Sequence, residues 1–127
     1  MARMSAIVVI TSVGTEEQAD QIARELLRRR QAACVNLVPG LRSLYRWQGR
    51  ICRDAELLLL IKTEDREFDA VAATIRELHS YELPEILAFP VGRGDPQFLA
   101  WIAASLEKKG PAPDAEEEPP FAADPEL

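Results

Sequence analysis

The stretch AACVNLVPGLRSLYRWQGRICRDAELLLLIKT, residues 32–63, decides the fold. It reads as two long β-runs that reverse at Gln48-Gly49, where Gly49 supplies the positive φ of a two-residue hairpin turn. On the near arm Leu41, Ser43, Tyr45 and Trp47 share one face, with Arg42, Leu44, Arg46 and Gln48 on the other. On the far arm Leu57-Leu58-Leu59-Leu60-Ile61 is apolar on both faces, the pattern of a strand covered from both sides. An arm of about 15 residues extends roughly 50 Å, whereas a compact body of this chain length measures about 35 Å across. The hairpin therefore either bends, with Pro39-Gly40 offering the place, or reaches onto a neighbouring subunit.

The chain of 127 residues is 47% hydrophobic, enough for one domain with a real core. Its net charge of -6 is unevenly placed. Residues 1–109 carry 15 basic and 15 acidic side chains, and Asp114, Glu116, Glu117, Glu118, Asp124 and Glu126 follow with no base among them. These counts predict a folded domain over 1–109 and an acidic, proline-rich disordered tail over 110–127. No basic excess is left for nucleic acid. No apolar run approaches the ~20 residues of a membrane span, and the first residues lack the apolar core of a signal peptide. Cys34 and Cys52 fall ~11 positions apart along the hairpin ladder, too far for a disulfide. Two free thiols and no export signal point to the cytoplasm.

Before the hairpin, residues 7–10 form a short apolar strand. Thr15 opens a helix as N-cap, with Gln18 completing a capping box. Ala19, Ile22, Ala23, Leu26 and Leu27 mark its buried stripe, and Arg28-Arg29-Arg30 closes it, where the helix dipole favours positive charge. After the hairpin, Thr63-Glu64-Asp65 caps a second helix with the stripe Phe68, Val71, Ala72, Ile75 and Leu78. A polar and aromatic loop, residues 79–84, leads to a strand over 85–91 that Pro90 confines to a sheet edge. Asp95 and Pro96 start a third helix, with Phe98, Trp101, Ile102, Ser105 and Leu106 facing inward. The order β-α-β-β-α-β plus a terminal helix is an α+β, ferredoxin-like arrangement with a long β-hairpin. Both main helices then cover one sheet face and leave the other apolar and bare, which implies a homo-oligomer.

Few residues suggest chemistry. One His and two separated Cys do not close a metal site within one chain; His79 and Cys34 are the available ligands for a site built across subunits. No nucleophile elbow or triad is visible, so no catalytic residue is assigned and the chain reads as non-enzymatic. Glu82 and Glu85 flank Pro84 as turn acids. Tyr45, Trp47, Tyr81 and Trp101 are all of the Tyr and Trp in the chain, and their polar ends need partners that Asn36, Lys62 and Glu82 are placed to supply. Such a set suits a subunit-interface core or a small anion pocket.

The runs AACVN (32–36), PG (39–40), SLYRWQG (43–49), LLLIKT (58–63), LHSYELPEI (78–86) and FLAW (98–101) together closely resemble the divalent-cation tolerance (CutA) family over about residues 6–106. That resemblance implies a cytosolic, ferredoxin-like homotrimer whose hairpins wrap across neighbours, architecturally like the nitrogen-regulatory PII signalling trimers. It implies a part in the response to copper and other divalent cations, and no catalysed reaction. The matching family positions are Cys34, Asn36, Tyr45, Trp47, Lys62, Tyr81, Glu82, Pro84 and Trp101, several of them lining clefts between subunits. In some members a cysteine ends the first strand and two histidines precede the YE segment; here Thr11 and Leu78-His79 stand there, leaving one ligand of three. Two functions follow as expectations: a trimeric metal-response protein contacting copper or another divalent cation weakly through His79 and Cys34, or a PII-like module holding a small anion in subunit clefts.

Overall fold

A computed structural model describes residues 5–108; the tail expected over 110–127 lies outside the described residues. In chain order the elements are β1 (Ala6–Val13), α1 (Glu16–Arg28), β2 (Cys34–Trp47), β3 (Arg50–Glu64), a 3-10 turn (Asp65–Glu67), α2 (Phe68–Leu78), β4 (Leu87–Pro90) and α3 (Pro96–Ser105). The strands form one antiparallel sheet in the order β2-β3-β1-β4. Pro90 sits at the edge as its missing N–H requires, since β4 pairs only with β1.

Alternation along the central strands sets the layers. Ile7, Val9 and Val13 of β1 and Leu59 and Ile61 of β3 point to one face, where they meet Ala19, Ile22 and Leu26 of α1 and Val71 and Ile75 of α2. All are buried, and each large side chain taken fully from water contributes about 1.5–3 kcal/mol. Arg29 ties the two helices together, bonding Glu25 of its own helix and Thr74 and Glu77 of α2. On the opposite face α3 covers only one end of the sheet, through Ile102 and Leu106 against Ala6, Ala33 and Val91. Beyond it Val8, Ile10, Leu58 and Leu60 are half-buried, and Leu87 and Phe89 are each 51% exposed.

Three local expectations differ from the outcome. Thr15 accepts the Gln18 amide as a cap should, but the Gln18 side chain does not turn back to complete a box. It reaches across to the end of α2, donating to the Leu78 carbonyl at 3.0 Å and accepting from the Ser80 amide at 2.7 Å. Thr63 does not cap α2, because β3 runs on to Glu64 and the Thr63 hydroxyl donates to the Gln31 carbonyl at 2.7 Å. Finally, Phe98 and Trp101 do not face inward. They are 45% and 47% exposed and pack on each other, while Ile102 and Leu106 take the buried positions of α3.

The hairpin forms as read. Gln48 and Gly49 both have positive φ, 50° and 76°, the pair of values that matches strand twist in a two-residue turn. Gly40 has φ 81°, and the ladder shifts by one residue between Val38 and Leu41, so the arm bends there through a β-bulge. Above the bulge the hairpin runs on past Val13, the last residue of β1 to pair with β3.

Candidate functional site

A cleft of about 870 Å³ opens where the projecting hairpin meets the loop after α2. Register places Tyr45 opposite Cys52 and one diagonal step from Asp54, and the Tyr45 hydroxyl donates to the Asp54 carboxylate. Deeper in the cleft the Tyr81 hydroxyl donates to Glu56 at 2.6 Å. Glu56 is only 7% exposed, and no cationic side chain among the described residues forms an ion pair with it. Trp47, Glu82 and Glu85 complete the wall, with Arg42 as the one cation lining it. The hydrogen bond it donates to Asp54 pushes the Tyr45 phenol up to about 12. Burial of the Tyr81 hydroxyl, then its bond to Glu56, pushes that phenol higher still. Both phenols therefore stay neutral donors across the physiological range, and four carboxylates against one arginine make the cleft acidic.

His79 holds the loop that brings Tyr81 in. It is 8% exposed; its Nε2 lies 2.8 Å from the Ser12 carbonyl and its Nδ1 accepts the Tyr81 amide at 3.1 Å. Nδ1 must be the acceptor, so Nε2 carries the proton and the ring is a neutral tautomer with both nitrogens occupied. The imidazole also lies 4.5 Å from the Tyr81 ring. Gly14 leaves room for this arrangement, since a Cβ there would come within 3.3 Å of the Tyr81 hydroxyl.

The residues singled out from sequence thus separate into two groups. Tyr45, Trp47, Tyr81 and Glu82 converge on the cleft. Asn36, Lys62, Cys34 and Trp101 lie away from it. Cys34 pairs with Lys62 at the far end of the ladder, Asn36 is exposed two residues on, and Lys62 Nζ stands 5.8 Å from the Phe98 ring beside Trp101. Within one chain His79 and Cys34 are not neighbours. His79 bonds Ser12, which pairs with Leu58, four positions or roughly 13 Å along β3 from the Cys34 partner Lys62. Among the described residues no three His, Cys, Asp or Glu side chains group as a metal site. The phenol partners are Asp54 and Glu56, where Asn36, Lys62 and Glu82 were expected. Asp54 was findable from the hairpin register; Glu56 was not, because its partner arrives on a loop 25 residues downstream.

Fold and site together define, over the described residues, a small α+β protein with a four-stranded antiparallel sheet, three helices and an acidic, phenol-lined cleft along the outer part of a long hairpin. The model of the CutA1 divalent ion tolerance protein family matches residues 7–105, and the chain belongs to that family. It is 47% identical over 95 residues to the divalent-cation tolerance protein CutA of Thermus thermophilus, covering 75% of this chain and 92% of that protein. The solved Thermus structure superposes with a TM-score of 0.75 at 46% identity, over 76% of this chain and 94% of that one. CutA from Xylella fastidiosa gives a TM-score of 0.79 at 37% identity, over 81% and 99%. The chloroplastic CutA 1 of rice is 38% identical over 103 residues, which are 81% of this chain and 58% of that longer protein. The Thermus relative carries the name of a tolerance protein rather than of an enzyme. No helix among the described residues is long and apolar enough to cross a membrane.

Proposed function

We propose that the protein acts as a cytoplasmic homotrimer in the response to divalent cations, catalysing no reaction of its own. The carrying observation is the sheet face that α3 leaves uncovered, where Leu87 and Phe89 are half exposed beside Val8, Ile10, Leu58 and Leu60. An apolar surface of this kind is covered in a stable soluble protein, and three copies with crossing hairpins cover it. The strand order β2-β3-β1-β4 with α1 and α2 on one face supports the ferredoxin-like reading. Light scattering of the full chain should give about three times its mass of 14.2 kDa; a monomer peak would overturn the assembly.

Metal contact with copper or another divalent cation is weak in this reading, because neither candidate ligand belongs to a closed set. The Cys34 thiol is half-buried and near the face where copies meet, and it is the available soft ligand. His79 can bind a metal only by giving up Ser12 or Tyr81. Calorimetric titration with copper should therefore show heat that Cys34→Ala reduces; heat that only His79→Ala removes would reverse this assignment.

A PII-like module holding a small anion is the second reading. It is favoured by Lys62, half-buried, with no carboxylate in ion-pair distance among the described residues. The acidic cleft at Tyr45 and Tyr81 is the wrong charge for it, so the anion would lie with Asn36, Lys62 and Trp101. A thermal shift by nucleotides or organic phosphates that Lys62→Ala abolishes would support this second reading, and no shift with any of them would remove it.

A further inference from the structure

Asp54 and Glu56 stand two residues apart on β3, so their side chains leave the same face of the sheet about 7 Å apart. Each accepts a phenol on one oxygen, Asp54 from Tyr45 and Glu56 from Tyr81. A neutral phenol orients a carboxylate without cancelling its charge. Neither acid forms an ion pair among the described residues, and neither do Glu82 and Glu85 on the facing wall. Arg42 lines the same cleft but lies within ion-pair distance of none of the four. Glu56 is the group that most needs completing. It is 7% exposed, and its Oε2 is taken by Tyr81. Its Oε1 has no donor among the described residues and is not sealed from solvent, so it opens on the cleft. A carboxylate drawn this far from water is costly until a cation meets it.

We propose that this cleft binds a small organic cation with two ammonium groups on a short aliphatic chain, one held by Glu56 and the other by Asp54. The spacing of the two acids along the strand matches a chain of a few methylenes. Trp47 shares the face of Tyr45 and lines the cleft, and an indole ring attracts an ammonium group or the methylenes beside it. The volume of about 870 Å³ falls within the range of roughly 300–1,000 Å³ usual for small-molecule sites. Two other ligand classes fit less well. An anion would face four carboxylates. A bare divalent ion needs clustered ligands, and among the described residues no three His, Cys, Asp or Glu side chains group that way. The site is separate from both Cys34 and Lys62, so it rests on neither the metal nor the anion reading and can fail without them.

The test is calorimetric titration of the full chain with tetramethylenediamine, which should bind saturably at one molecule per chain. Butylamine, able to meet only one of the two acids, should bind about tenfold more weakly, and magnesium chloride at equal ionic strength should not reproduce the heat. Glu56→Gln keeps an acceptor for Tyr81, and Asp54→Asn alters an exposed side chain; each should weaken the diamine by about tenfold. Asp20→Asn, an exposed acid on α1, should leave it unchanged. In the wild type the ring-proton resonances of Tyr45, Tyr81 and Trp47 should move with the calorimetric midpoint, a readout that needs no variant to fold. No saturable binding, equal affinity for butylamine, heat reproduced by magnesium chloride, or an equal loss in Asp20→Asn would overturn the proposal. So would a wild type that binds no diamine while Glu56→Gln changes the particle mass, which would give the cleft to a side chain of a second copy.

Discussion

Thr11 is the residue at which the core is least satisfied. It is wholly buried among the side chains beneath α1 and α2, and its hydroxyl oxygen has no hydrogen-bond partner. An unmet buried hydroxyl costs about 1–3 kcal/mol. Thr11→Val keeps the shape and removes the polar atom, so it should raise stability by about 1 kcal/mol in a urea titration; an unchanged midpoint would mean that the hydroxyl is satisfied after all. The two tyrosines give a second prediction. Both phenols are raised above the ordinary value of 10, Tyr45 to about 12. The folded state therefore keeps protons that the unfolded state loses, and stability should fall as pH rises from 10 through 12. Since the chain has only two tyrosines, phenolate absorbance should be nearly silent at pH 10, and Asp54→Asn should bring one phenol back toward 10. A full signal from both at pH 10 in the folded wild type would contradict the two phenol–carboxylate pairs.

Among elements, the long ones were readable because each follows a single period. The apolar stripe of α1 and the unbroken run Leu57–Ile61 needed no knowledge of their neighbours, and the turn at Gln48-Gly49 carries its own backbone signature. What the pattern hid was how the loop over 79–86 is held. Its anchors are Gln18 and Ser12, at sequence separations of 60 and more, and no local rule reports them. The same gap explains the unpredicted role of Glu56 and the misplaced side chains Phe98 and Trp101, whose direction depends on which surface α3 meets. Gln18→Ala should cost about 1–2 kcal/mol through two lost hydrogen bonds. It should also speed hydrogen exchange at the Ser80 and Tyr81 amides, and unchanged exchange there would show that the loop is held by His79 alone.

At the scale of the molecule, the reading from sequence located the element order, the edge position of Pro90 and the family. It could not place the cleft, because that site depends on a loop folding over a hairpin that bends. It also grouped Asn36, Lys62 and Trp101 with residues that lie at the other end of the sheet. Truncation after Lys109 should leave the melting temperature nearly unchanged, since Ile102 and Leu106 already close the α3 end of the core without the tail. A large loss on calorimetry would mean that residues 110–127 contribute to the core itself.

The bulge at Pro39-Gly40 has a consequence for chain length. Val38 and Leu41 lie on the same face of the sheet although they are an odd number of residues apart, so one residue there is supernumerary to the alternation. A chain lacking Gly40 would resume the ladder with Tyr45, Trp47 and the arginines each on its present side, and would lose only the kink. Heading and composition of the arm are thus independent variables: a single deletion re-aims the tip while every face keeps its chemistry.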